Sequence, residues 1–383
     1  MFRLRWPWHS ATTTTTTKTS GVQIKPLIGV GSRGDKVHVI HEIVDKPKNL
    51  ILSGGSLKGV SFIGCIKRLE EMDAISDIKN MIGTSFGSLV LFMLTIGCTS
   101  DDMIENIVFC LSQKQKVKKS MIKTLIHCIE YGGIDDGGVL LECMKRPLIQ
   151  KLERSDITFL ELAKLTGKNL IVTGSNLTYA RPEYFSVDTT PNMSVILALR
   201  ISASIPFLFR PVSNEGSLYV DGALFDNFPI DAWLKEPNTL GIVIMDDIPT
   251  NSTPSKSTTL SDLIFAMWQS VLARLNPTHH SSNGLVTIIK IPSRDVVEYV
   301  NSSSSLSYSF ETMSFHITIE EVSRAVKFGY LSCCKDSKEI DVQDPNDCRE
   351  DDSCHDSGGG GPLVVGAPVI EDVKSDQCSD EAP

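Results

Sequence analysis

No stretch of this chain reaches the roughly 18 consecutive apolar residues of a membrane span. The N-terminal segment has no apolar run of the kind a secretory signal carries. These two absences lead to the expectation of a cytoplasmic protein, with any membrane contact a peripheral one. Cysteine is sparse: 10 in 383 residues are too few for a disulfide scaffold. Cys65, Cys98, Cys110, Cys128 and Cys143 sit among apolar neighbours, where a thiol behaves as a small hydrophobe, and reduced thiols are expected. The late group Cys333, Cys334, Cys348, Cys354 and His355 matches no ribbon or finger spacing, so no metal site is expected.

A net excess of either charge is missing from most of the chain. The net charge is -9, yet residues 335–383 hold 14 acidic and 4 basic residues, which leaves 33 basic and 32 acidic residues elsewhere. A nearly neutral body gives no electrostatic footprint for nucleic acid. The first 34 residues contain no acid, and a run of six threonines spans Thr12 to Thr17. Four regions follow: a flexible N-terminal arm at 1–48, a core at 49–250, an extension packed on the core at 251–332, and an acidic tail at 333–383. The tail is too poor in apolar residues to offset its ordering entropy and is expected to be disordered.

What the core does have is alternation. Leu50-Ile51-Leu52 is a short apolar run that stops at Ser53-Gly54-Gly55. From Lys58 to Met72 the apolar residues Val60, Ile63, Ile66 and Leu69 fall at helical spacing. Asn80 to Gly83 resembles a second strand, and Phe86 to Ile96 is apolar on nearly all sides, as in a fully buried helix. Asn169 to Thr173, Leu218 to Val220, Leu240 to Met245 and Val286 to Ile291 read as further strands. Leu260 to Arg274 and Phe315 to Gly329 read as helices. This pattern implies an α/β fold in three layers, with a mainly parallel central sheet and helices on both faces. Sites in such sheets lie beyond the carboxyl ends of strands.

Three motifs occupy such ends. Gly83-Thr84-Ser85-Phe86-Gly87 is a G-x-S-x-G turn from strand to helix. Its glycines remove Cβ atoms that would collide, and Ser85 stands clear as a candidate nucleophile at a helix N-terminus. Gly54-Gly55-Ser56-Leu57-Lys58-Gly59 also links a strand to a helix. Its main-chain N–H groups, at Gly54, Gly55 and Ser56, could hold an oxyanion. The competing reading is a dinucleotide cradle, with Asp73 as the acid, but Ser56 stands where that motif needs its middle glycine. Lys58 either caps local carbonyls or positions an anionic head group. In the third motif a strand ends at Asp221-Gly222-Ala223, a turn that presents a carboxylate.

Together these motifs resemble the patatin-like phospholipase family over about Leu50 to Asp231. Gly54 to Gly59 is similar to the family's G-G-G-x-[KR]-G loop, Gly83 to Gly87 to its elbow, and Asp221 to Ala223 to its Asp-Gly-[GA] turn. Ala203 to Phe209 is similar to its A-S-x-x-x-P-x-x-F segment. The departure is Ser56, where the family has a third glycine. The resemblance implies a Ser–Asp dyad of Ser85 and Asp221, an acyl-enzyme intermediate, hydrolysis of acyl-ester lipids presented as membranes or micelles, and no cofactor. Lys58, Gly59, Gly83, Gly87 and Gly222 support the motifs. Other readings stay open at this point. A Ser-His-acid esterase or triacylglycerol lipase would draw on His279, His280 or His316, and a non-catalytic lipid-binding module would use the same scaffold. Lys114, Lys116, Lys118, Lys119 and Lys123, interleaved with apolar residues, form a candidate contact with an anionic membrane, or else an ordinary solvated helix face.

Overall fold

A computed structural model describes residues 26–30, 36–40, 46–112, 128–231, 238–245, 286–292, 295–296, 308–309, 314–315 and 318–333. The expected helix at 260–274, the lysines at 114–123, the three histidines and the tail beyond 333 lie outside the described residues.

Within the segment expected as a flexible arm, β1 (Pro26–Val30) and β2 (Lys36–Ile40) form an antiparallel pair. The central sheet is built from β3 (Asn49–Leu52), β4 (Asn80–Thr84), β6 (Asn169–Asn176), β7 (Arg181–Phe185), β9 (Val212–Asn214), β10 (Ser217–Asp221), β11 (Thr239–Met245) and β12 (Val286–Pro292). Its order is β12-β11-β3-β4-β6-β10-β9, with β7 also paired to β6. The pairs from β12 through β6 are parallel, and β7, β9 and β10 join antiparallel. A short parallel pair, β5 (Gly133–Asp135) with β8 (Phe207–Phe209), lies outside the sheet. The segment expected as a covering extension contributes β12, which is hydrogen-bonded along the whole of β11.

Strand alternation splits the core in two. Leu50, Leu52, Met81, Leu170, Val172, Leu240 and Ile242 join the large cluster on one face. Ile51, Ile82, Ile171, Val243 and Ile288 join a second cluster, covered by Phe228 and Ile230, on the other. The large cluster takes the apolar sides of α1 (Ser61–Glu71), α2 (Phe86–Thr95), α3 (Ser100–Ser112), α4 (Gly138–Leu152), α5 (Phe159–Thr166), α6 (Val195–Ser202) and α7 (Ile319–Ser332). The result is the expected α/β architecture, a mixed and mostly parallel sheet with both faces covered. Helix α2 is buried from Gly87 to Thr95, in keeping with its apolar sequence on every side. Among the described residues no helix is long and apolar enough to cross a membrane.

Three local expectations are corrected. The helix read from Lys58 opens as a 3-10 turn, Ser56–Val60, before α1 begins. The closing helix starts at Ile319 instead of Phe315, because Thr318 and Glu321 form a reciprocal capping box there. Cys110 and Cys143, expected as reduced thiols, are bonded to each other, since α3 and α4 bring their Cα atoms to 5.7 Å.

Helix α7 locks the layer by crossing α1 at two glycines. A Cβ on Gly64 would lie 1.9 Å from the Val326 carbonyl oxygen, and one on Gly329 would lie 1.8 Å from that of Ser61. The Cys65 thiol donates to the Gly329 carbonyl at 3.2 Å across the same crossing. Gly64→Ala and Gly329→Ala should each lower unfolding stability by about 1–3 kcal/mol through overpacking. Urea denaturation measures this; an unchanged midpoint for both would mean that the helices do not approach this closely.

Candidate active site

The site is created by a junction on β6. One side of β6 is occupied by β7 from Val172 to Asn176. The other side is shared: Thr173 pairs with Thr84 of β4, and the next residue, Gly174, pairs with Asp221 of β10. Because β4 runs parallel to β6 and β10 antiparallel, their carboxyl ends meet head to head. Ser85 follows Thr84 directly, so the chain delivers a hydroxyl and a carboxylate to one point from 136 residues apart. The Ser85 hydroxyl donates to Asp221 Oδ2 at 2.7 Å. Ser85 is 5% exposed and Asp221 1%.

Each partner is held from behind. Ser85 adopts φ 50° and ψ -124° at the N-cap of α2, a left-handed conformation that costs a side-chain-bearing residue about 1–3 kcal/mol. The flanking glycines permit it. A Cβ on Gly83 would sit 2.6 Å from the Ser88 Cα, and one on Gly87 2.4 Å from the Ser53 carbonyl oxygen. Asp221 Oδ1 accepts from the Ala223 N–H at 2.9 Å, which leaves Oδ2 for the serine. The turn after Asp221 is fastened by Ser175, whose hydroxyl donates to the Gly222 carbonyl at 3.1 Å and accepts from the Phe225 N–H at 3.1 Å. Thr84 donates to the Asp226 carbonyl at 3.1 Å, tying β4 to the same turn.

Burial pushes the Asp221 carboxyl up to about 7, against the downward pull of its hydrogen bonds from Ala223 and Ser85. A carboxylate poised near neutrality is a much better proton acceptor than an exposed one. It is the group that the Ser85 hydroxyl addresses; the side chains of His279, His280 and His316 lie outside the described residues.

The glycine loop divides its donors. The Gly54 N–H donates to the Asn227 carbonyl at 3.0 Å and is therefore occupied, contrary to the expectation that it faces an oxyanion. Among the described residues no hydrogen bond engages the N–H of Gly55 or Ser56. Gly54 still borders Ser85: a Cβ there would lie 3.4 Å from the Ser85 Cβ and 2.4 Å from Asn227 Oδ1. Gly59 packs under the Phe86 ring, and Gly222 under the Thr173 carbonyl, where a Cβ would come within 2.4 Å of the oxygen. Lys58 lies in the 3-10 turn, and its carbonyl accepts from the Ser61 hydroxyl at 2.7 Å.

The end of α6 supplies residues that sequence reading did not single out. The Ser85 N–H donates to the Ser202 hydroxyl at 2.9 Å, and the Asp221 N–H donates to the Ser204 carbonyl at 2.9 Å. One helix end thus grips the backbone of both partners. The only sequence signal was their place in the segment Ala203 to Phe209 and just before it. Among the described residues no group of three or more His, Cys, Asp or Glu could hold a metal ion.

This geometry coincides with a family match: residues 50–234 fit the model described as patatin-like phospholipase. Over these residues the chain is similar to patatin-like phospholipases. The match ends just beyond the Asp221 turn and spans both strand ends of the site. A similar protein is the probable lipid hydrolase 463L of Invertebrate iridescent virus 6, 33% identical over 201 residues, covering 50% of this chain and 64% of the viral protein. The lysophospholipase nte1 of Aspergillus fumigatus is 23% identical over 275 residues, covering 72% of this chain but 16% of the fungal protein. The chain thus spans less than two thirds of the length of these relatives. Among solved structures, VipD from Legionella pneumophila aligns at a TM-score of 0.45 with 17% identity, covering 84% of this chain and 71% of its own. Human GIVD cytosolic phospholipase A2 aligns at 0.41 with 11% identity, covering 74% and 56%.

Ser56, where the patatin-like pattern carries glycine, has φ 49°. Ser56→Gly should therefore raise stability by about 1 kcal/mol, because glycine adopts this conformation without a Cβ penalty. Ser56→Val should lower it. Thermal unfolding of the two variants measures the difference; a destabilised Ser56→Gly would contradict the left-handed assignment.

Proposed function

We propose that this protein is a serine carboxylic-ester hydrolase acting on acyl-ester lipids of the phospholipid or lysophospholipid type. The observation that carries the reading is the 2.7 Å hydrogen bond from Ser85 Oγ to the buried carboxylate of Asp221. The similarity to patatin-like phospholipases and the relative named as a probable lipid hydrolase support the substrate class.

In this mechanism Asp221, ionised, accepts the Ser85 proton as Oγ attacks the ester carbonyl. The carbonyl oxygen becomes an oxyanion and is met by the N–H groups of Gly55 and Ser56, with the N-terminus of α2 adding its partial positive charge. Asp221 passes the proton to the departing alcohol as the ester bond breaks. Water then attacks the acyl-enzyme, gives its proton to Asp221, and the fatty acid leaves with Ser85 restored. No metal or cofactor enters any step. Substrate arrives as a membrane or micelle, and the lysine run Lys114 to Lys123 supplies a peripheral contact with anionic lipid.

Three measurements test this reading together. Ser85→Ala should abolish both ester turnover and covalent labelling by a fluorophosphonate. Asp221→Asn should lower kcat by about 10²–10⁴-fold, the range for losing a general base. Wild-type kcat should rise with pH through about 7, as Asp221 ionises. Retention of turnover in Asp221→Asn, together with its loss on changing His279, His280 or His316, would transfer the base to a histidine and overturn the dyad.

The raised carboxyl also sets the sign of a stability effect. Asp221 favours its neutral form in the folded state, so its contribution is complete below the ordinary value of 3.8 and is lost as pH rises through about 7. Asp221→Asn should consequently be more stable than wild type above neutrality, with the gap closing in acid. Chemical denaturation across this range reads the gap; a variant less stable than wild type above neutrality would contradict the buried ionisation.

A further inference from the structure

Arg200, near the end of α6, is a guanidinium 6% exposed. Among the described residues it forms no direct ion pair, although the neighbouring Asp135 and Asp136 carboxylates favour its charge against the cost of burial. Its donors go instead to three loops. Nε and Nη2 donate to the Asp136 carbonyl at 3.3 and 3.0 Å, and Nη2 also donates to the Arg210 carbonyl at 3.0 Å. Nη1 donates to the Ser204 hydroxyl, which in turn donates to the main-chain carbonyl of Arg200 at 2.5 Å. The guanidinium stacks over the Phe209 ring at 5.3 Å. Gly137 presses against it so closely that a Cβ there would lie 2.2 Å from Nε.

A buried cation is an expensive way to fill space. An apolar side chain of similar volume often stabilises a fold as well or better, because no charge has to leave water. The bonds of Arg200 therefore call for a role beyond packing, and their destinations supply one. Ser204 is bonded by Arg200 at its side chain and by Asp221 at its carbonyl. Two residues earlier, Ser202 takes the Ser85 N–H. Arg200 thus braces the short stretch of chain to which both site residues are tied.

We propose that Arg200 is a positioning residue: through Ser204 it sets the backbone of Asp221 so that the carboxylate meets Ser85 Oγ at hydrogen-bond distance. The inference rests on the hydrolase reading above. Arg200 touches neither substrate nor the reacting atoms. If Ser204 turns away, Asp221 loses the acceptor for its N–H and the carboxylate drifts out of range of a hydrogen bond whose length is now 2.7 Å.

The test uses the full-length protein and a soluble carboxylic ester, with each variant quantified by fluorophosphonate titration of Ser85, so that misfolded molecules are not counted. Arg200→Lys keeps the charge but loses the planar fork. Ser204→Ala cuts the link from the other side, keeps a main-chain carbonyl at that position but unties it from Arg200, and covers the case in which Arg200→Lys does not fold. Each variant should lose about ten-fold or more in kcat per titrated site, as expected for a misplaced catalytic group, with KM changed less than two-fold. The double variant should be little worse than either single one, because both sever the same link. A merely structural role predicts a lower thermal midpoint with kcat per titrated site within two-fold of wild type, and that result would overturn the inference. Wild-type turnover that survives Ser85→Ala would instead remove the hydrolase reading, and this inference with it.

Discussion

The site depends on two strand ends meeting on a third strand. Thr173 and Gly174 of β6 are adjacent in sequence, yet one pairs with the last residue of β4 and the other with the last residue of β10. Register brings the backbones of Ser85 and Asp221 to one point, and the bonds around them hold the side chains at 2.7 Å. Register in a buried sheet is strongly specified, because a slip of one residue would turn every core side chain to the wrong face. The alternation that sends Leu50 and Leu52 to one cluster and Ile51 to the other is therefore also what aims the serine and the aspartate.

Burial then gives this meeting point its chemistry. In water a carboxyl group with its ordinary pKa of about 4 is a poor proton acceptor; inside this protein, burial raises Asp221 to about 7 and the Ala223 N–H fixes which oxygen faces the serine. The cost is a strained Ser85 backbone and a carboxyl deprived of water. Both are held by the surrounding bonds: Ser175 and Thr84 on the turn after Asp221, and Ser202, Ser204 and Arg200 at the end of α6. Apart from Arg200 these are short polar side chains: Thr84 and Ser175 lie on strands of the sheet, and Ser202 and Ser204 lie at and just beyond the end of α6.

Much of the fold was legible because it follows local rules. Leu50 to Leu52, Leu170 to Val172 and Leu240 to Met245 are apolar runs, as strands buried on both faces must be, and Phe86 to Thr95 is apolar on nearly all sides because it is buried. Ser85 and Asp221 could be singled out because glycines at a strand-to-helix turn leave a recognisable spacing. The rest depends on contacts between distant residues. The occupation of the Gly54 N–H needs the Asn227 carbonyl, far along the chain. Incorporation of β12 into the sheet depends on β11, which no local pattern in Val286 to Pro292 reveals. The bond between Cys110 and Cys143 needs α3 and α4 to be neighbours, whereas the sequence shows only two thiols among apolar residues. Ser202 and Ser204 look like ordinary small residues until the β4–β10 junction gives them two N–H groups to receive.

The most direct test is a crystal structure of the protein after reaction with an alkyl fluorophosphonate. The account predicts phosphorus bonded to Ser85 Oγ, the phosphonyl oxygen within hydrogen-bond distance of the Gly55 and Ser56 N–H groups, and the Asp221 carboxylate still beside Oγ. An adduct on another residue, or Ser85 and Asp221 on separate surfaces, would contradict it.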